Sequence, residues 1–166
     1  MRIRLRLGPV LVVAGAVVFG WGGFTLWGSF GHHDGLATDR DRVLRAGEQQ
    51  IAALNSMGCG SSDTALRRWL DASTGPLHDQ LQRDWNQNKQ KIDAARTCAV
   101  GSVTAAAVTS VDGRAGDAQI LVAVQVTLTP AGGSPSVERR RYAAGLTRTS
   151  DGWKLKSLTS IPVDAA

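Results

Sequence analysis

Histidine is scarce in this chain: His32, His33 and His78 are the whole supply in 166 residues. The first two are adjacent in a short glycine-flanked stretch, where nothing fixes a coordination geometry. His78 falls in the first turn of an expected helix, among solvent-facing neighbours. No H-E-x-x-H, no G-x-S-x-G and no glycine-rich loop between a strand and a helix is present. Asp112, Asp117 and Asp151 read as turn residues, and Asp39 and Asp63 as helix first-turn residues. Asp71, Asp84 and Asp93 are left as candidate pocket acids, and a solvated helix surface accounts for each of them. Catalysis needs a convergent set of groups. The expectation is a protein that is not an enzyme, with no cofactor and no metal site.

Two further groups have chemical character. Arg139, Arg140 and Arg141 form the sharpest charge feature. On a strand, Arg139 and Arg141 share one face and Arg140 takes the other, so the three do not make one basic patch. They fit a sheet edge, where charge discourages pairing with other chains, or contact with an acidic partner. Cys59 and Cys98 are the only cysteines. Neither lies in a C-x-x-C pair, which argues against redox activity. A structural disulfide is expected, closing a loop of about 40 residues and worth about 4 kcal/mol at most; two buried thiols are the other reading.

Three helices and then four strands must position these groups. Thr38 reads as a cap with Asp39 and Asp41 in the first turn. Val43, Leu44, Gly47, Ile51 and Leu54 follow at helical spacing over about 39–56, with Gly47 marking a close packing contact. Ser61 or Ser62 opens a short second helix ending by Ala72. Pro76 suits the first position of a third, which carries Leu77, Leu81, Trp85 and Ile92. After Arg96 the period changes from 3.6 to 2. Strands are expected over 99–111, 118–129, 137–149 and 153–161. In the second, Ile120, Val122, Val124, Val126 and Leu128 face one way and Gln119, Gln125 and Thr127 the other. Ser150-Asp151-Gly152 closes a tight hairpin. Helices on one face of a curled antiparallel sheet make an α+β layer fold.

Residues 9–30 are a different kind of segment, 22 residues without a charge. A helix of that length spans about 30 Å, the thickness of a bilayer core. Arg2, Arg4 and Arg6 precede it, and Trp21, Phe24, Trp27 and Phe30 lie toward its far end. The run exceeds the h-region of a signal peptide, and no small-x-small cleavage site follows promptly. The reading is an uncleaved anchor, with a cleaved signal and a buried soluble helix as the alternatives. The basic flank puts residues 1–8 in the cytoplasm and the C-terminal domain outside the cell membrane. Ala16 and Gly20 form one small-xxx-small pair that could seat a partner helix. Residues 31–37 are a tether and 38–163 one domain. Beyond the anchor, 16 basic residues face 14 acidic ones, which is no nucleic-acid footprint.

Several stretches resemble the Mce-associated membrane proteins: Thr38 to Leu44, Leu70-Asp71 with Thr74 to Leu77, Ala105 to Val108, Ala118 to Val124, and Asp151 to Leu155. The resemblance implies an NTF2-like (SnoaL-like) cone of three helices on a curved sheet of about four strands. It also implies an accessory or assembly role in an Mce-type lipid or sterol import complex. The partners would be Mce-family proteins and a permease, with a homo-oligomer possible. The chain departs from that family at Asn55 to Cys59, where relatives carry an Asp-Tyr pair. Two other functions fit the same layout: a cone that binds a small apolar ligand, and a structural or regulatory anchor of another cell-envelope system.

Overall fold

The structure, a computed structural model, describes residues 35, 37–57 and 60–162. The expected membrane segment 9–30 with Ala16 and Gly20, and Cys59, lie outside the described residues. No helix among the described residues is long and apolar enough to cross a membrane. The compact unit begins at Asp39.

Four helices precede four strands. Helix α1 covers residues 37–54, α2 runs Ser62–Ala72, α3 Gly75–Arg83 and α4 Trp85–Ala95. The strands are β1 (Thr97–Asp112), β2 (Asp117–Pro130), β3 (Ser136–Thr149) and β4 (Gly152–Ile161). They form an antiparallel meander in the order β1-β2-β3-β4. Irregularities at Val103/Ala105 and Val108/Ser110 in the first pair, and at Gly145/Leu146 in the third, bend the sheet.

The alternation expected in β2 holds. Ile120, Val122, Val124 and Val126 are buried in one core with Val43 and Ile51 of α1 and Leu146, Trp153 and Leu155 of the last two strands. Gly47 is the contact point of α1 with the sheet. A Cβ built there would run into the terminal methyl of Ile120, with Leu146 next nearest. Polar bonds tie α1 down around this seam. Arg40 Nη2 donates to the Val108 carbonyl at 3.0 Å, and Gln50 Nε2 donates to the Trp153 carbonyl. The Tyr142 hydroxyl donates to Asn55 Oδ1 at 2.8 Å, while Asn55 Nδ2 donates to the Ile51 carbonyl.

Two expected boundaries move. Residue 37 is already helical, so Thr38 lies inside α1 and does not cap it. Asp39 is used otherwise: its carboxylate holds Arg148 at 2.9 Å, and that guanidinium lies 5.0 Å from the centroid of the Trp153 ring. The expected third helix is two helices. Asp84 leaves helical geometry with φ −87° and ψ 7°, and it serves as the C-cap of α3 and the N-cap of α4. The break has a packing cause. α3 packs on β4 and α2, whereas α4 packs chiefly on α2; a straight rod over both lengths could not make both sets of contacts.

Gly101 offers a sharp test of the α1–β1 junction. Its N–H donates to Ser56 Oγ at 2.9 Å. A Cβ there would lie 2.7 Å from Asn55 Cβ and 3.2 Å from the Ala52 carbonyl oxygen. Those obstacles belong to the end of α1 and cannot rotate aside. Gly101→Ala therefore destabilises by about 1–3 kcal/mol, although alanine is the better strand residue, and the loss is read in the urea midpoint.

Candidate interaction face

The chemistry-bearing residues do not converge. Among the described residues no group of three or more His, Cys, Asp or Glu could hold a metal ion. Asp71, His78, Asp151 and Lys154 line an open polar cleft of about 450 Å³ between the α2–α3 elbow and the β3–β4 hairpin. Within it Lys154 pairs with Asp151 at 3.5 Å, and His78 faces Asp79 of its own helix at 3.7 Å. Asp93 joins Asp63 around Lys89, at 3.8 and 3.0 Å. The Asp63 hydrogen bond raises the Lys89 pKa, and burial opposes it. These are surface ties: Lys89–Asp63 joins α4 to α2, and the others lie within one helix or one hairpin. Cys98 lies half-buried near the start of β1 and is not a free thiol; the expected bond to Cys59 falls on a residue outside the description.

The concave face, where a cone would hold a ligand, is covered by α1, whose Val43 and Ile51 are fully buried. The other face of the sheet is open. Its residues follow from the register. Val100 pairs with Thr127, which pairs with Val137; Ser102 pairs with Gln125, which pairs with Arg139. Ala105 pairs with Ala123, which pairs with Arg141, which pairs with Ile161. Ala107 pairs with Leu121, which pairs with Ala143. Val100, Leu121 and Val137 remain 60%, 44% and 58% exposed. An open apolar depression of about 270 Å³ lies against Ala105, Ala107, Leu121 and Ala123, with Arg141 and Ile161 at its side.

The arginine run divides as its alternation requires. Arg139 and Arg141 are exposed on this outer face. Arg140 shares the side of Val124 and binds Glu138 at 2.7 Å; that hydrogen bond raises its pKa, with burial opposing. β3 is an inner strand of the sheet, yet its last pair with β4 is Arg141↔Ile161. Ser136 to Arg140 therefore run past β4 and have only β2 beside them in the sheet. At the opposite end of the face Asp117 holds Lys156 at 2.7 Å.

Sequence reasoning missed the apolar part of this face. The signal was present in β2: Leu121 and Ala123 occupy the outward positions between Gln119 and Gln125, where a solvated strand would carry polar residues. It also missed the Asn55–Tyr142 and Asp39–Arg148–Trp153 ties, which join residues far apart in the chain and leave no periodic trace.

A protein family described as "Uncharacterized protein Rv1363c/MT1408-like" matches residues 9–160. No curated protein matches the chain. Among solved structures, an IcmL-like type IV secretion system protein from Legionella pneumophila superposes with a TM-score of 0.63 at 12% identity, covering 76% of this chain and 95% of that one. CagV, a VirB8 homologue from the Helicobacter pylori type IV secretion system, gives 0.60 at 11% identity, covering 75% and 99%. The periplasmic domain of DotI gives 0.60 at 16% identity, covering 73% and 94%. At such identities the likeness is one of fold: an α+β cone of helices against an open four-stranded sheet. These findings overturn the Mce-associated resemblance, because the family matched is a different one. The expected Mce-family and permease partners, which rested on that resemblance alone, fall with it.

Two expectations separate the structural ion pairs from the free arginines. Lys156 hydrogen-bonds Asp117 and, with Thr147, lowers its carboxyl pKa. A lowered pKa stabilises the fold above the ordinary carboxylate value of about 3.9 and is lost as pH falls through the lowered one. Asp117→Asn should therefore lower the melting temperature near about pH 7, and the difference from the parent should shrink as pH falls below the ordinary carboxylate range and disappear once the carboxyl is protonated. Arg139→Ala and Arg141→Ala should each shift stability by no more than about 0.5 kcal/mol, measured by thermal melts.

Proposed function

We propose, from the premise that this chain belongs to the uncharacterized Rv1363c/MT1408-like family, that it is a non-catalytic, membrane-anchored structural or assembly protein of a cell-envelope complex of the secretion or conjugation type. The N-terminal apolar segment would hold it in the membrane with the cone outside the cytoplasm. The cone would then contribute contacts to other envelope proteins.

The observation that carries this reading is the fold. The IcmL-like protein and CagV are named as components of type IV secretion systems, and the DotI structure as a periplasmic domain. Each is matched over nearly its whole length. A second observation agrees: the open sheet face offers apolar side chains and unpaired charge, whereas the polar groups elsewhere are spent on surface ties. The ligand-binding alternative gains no support from the interior, which α1 occupies.

The test uses the full-length chain with a C-terminal tag in its native membranes. It should resist carbonate extraction, and added protease should remove the tag from intact spheroplasts. Purified in mild detergent, it should bring other integral or extracytoplasmic envelope proteins in constant ratio. Extraction by carbonate, protection of the tag, or recovery of the chain alone would overturn the reading.

A further inference from the structure

All the large hydrophobic side chains exposed among the described residues, Val100, Leu121 and Val137, lie on one face of the sheet. On the same face stand two arginines that no carboxylate among the described residues reaches. Arg139 and Arg141 are separated by two residues along β3, about 7 Å. The acids near them in the chain or the fold are committed elsewhere: Glu138 to Arg140 on the other side of the strand, and Asp117 to Lys156 at the far end of the face. We propose that this face docks an acidic, amphipathic segment of a partner protein. Its carboxylates bind Arg139 and Arg141, and its apolar side chains cover Leu121, Val137 and the alanines between them. This rests on the assembly reading above and names the partner's chemistry.

Charge argues against a second copy, and side-chain type against a lipid surface. A second copy meeting the first through a two-fold axis would present the same patch to itself. Four arginines would then be presented to one another, and Asp117, at the far end of each face, is already held by Lys156. A lipid surface calls for residues that insert, such as aromatic side chains or a strongly apolar helix face. Beside its two arginines this face is a row of Ala, Thr, Ser and Gln with four larger aliphatic side chains, Val100, Leu121, Val137 and Ile161, and no aromatic one. Protein carboxylates flanked by apolar groups match both parts of it. Two guanidiniums at strand spacing can each take a carboxylate in bidentate fashion, and acids two apart on a strand or three to four apart on a helix meet that spacing.

The experiment places a photo-reactive residue at Leu121 of the full-length chain in its own membranes, and at Val137 in a second variant. Cross-linked peptides are identified by mass spectrometry. The expected result is one discrete peptide from an envelope protein, rich in Asp and Glu. Its yield should fall about tenfold or more in the R139E/R141E double variant, with the melting temperature unchanged. It should return when the carboxylates of that peptide are replaced by lysines in the same background. Cross-linking to a second copy, to lipid, to a peptide without acids, or with a yield indifferent to R139E/R141E overturns the proposal, as does no cross-link from either position. The assembly reading is judged separately by co-purification. Envelope proteins that co-purify equally with the parent and with R139E/R141E leave that reading standing and sink only this face. Recovery of the chain alone sinks both.

Discussion

Everything in this fold depends on how closely α1 lies in the hollow of the sheet. The closeness is set at Gly47, where the missing side chain admits the end of Ile120. Side chains ordinarily hold a helix off the sheet it packs on; a glycine at the crossing lets the two backbones approach, and Val43 and Ile51, one turn to either side, are fully buried in the core. The cost is helix propensity, about 1 kcal/mol against alanine. The gain is the burial of aliphatic side chains such as Val43 and Ile51, each worth about 1.5–3 kcal/mol, so the balance favours the glycine. A second glycine, Gly101, repeats the device where the end of α1 crosses β1.

That seam divides the sheet into two faces with separate fates. The inner face is committed to α1 and sealed by bonds along its length, from Arg40 and Asp39 at one end to Asn55 and Tyr142 at the other. The same element order could enclose a ligand cavity if the helix stood further off. Here the space is used for packing. Whatever recognition the domain performs is left to its surface, and the outer face is where apolar area and unpaired charge coincide.

Much of this was legible because periodicity is a local property. The strand parity of β2, the hairpin at Ser150 to Gly152, the order of elements and the packing contact at Gly47 could all be read from the spacing of apolar residues. The split at Asp84 could not, because both halves keep helical spacing and only the contacts of α3 with β4 and of α4 with α2 force the bend. Thr38 misled for a related reason: a good capping residue also sits inside a helix that begins earlier. The outer face was half legible. The alternation of Arg139, Arg140 and Arg141 gave their faces correctly, but only the cross-strand register brings Val100, Leu121 and Val137 onto the side that Arg139 and Arg141 occupy.

The family resemblance failed for an instructive reason. It was carried by the order of elements and by short runs such as Ala118 to Val124 and Asp151 to Leu155. Those runs state requirements of the cone itself: a central strand buried on one side, and a tight turn followed by an inward tryptophan. Packing of that kind reports the architecture and carries nothing about a partner. The solved structures make the same point from the other side, since they share this shape at 11 to 16% identity. What can distinguish one cone from another is the surface the fold leaves unconstrained. In this chain Arg139 and Arg141 are such positions: exposed, with no acid among the described residues paired to them, and not part of the buried core. Their self-repulsion is small at the surface, where water and salt screen it. On the proposed docking, the part of the sequence that bears on partnership lies on the outer face of the sheet, and not in the core that makes the fold recognisable.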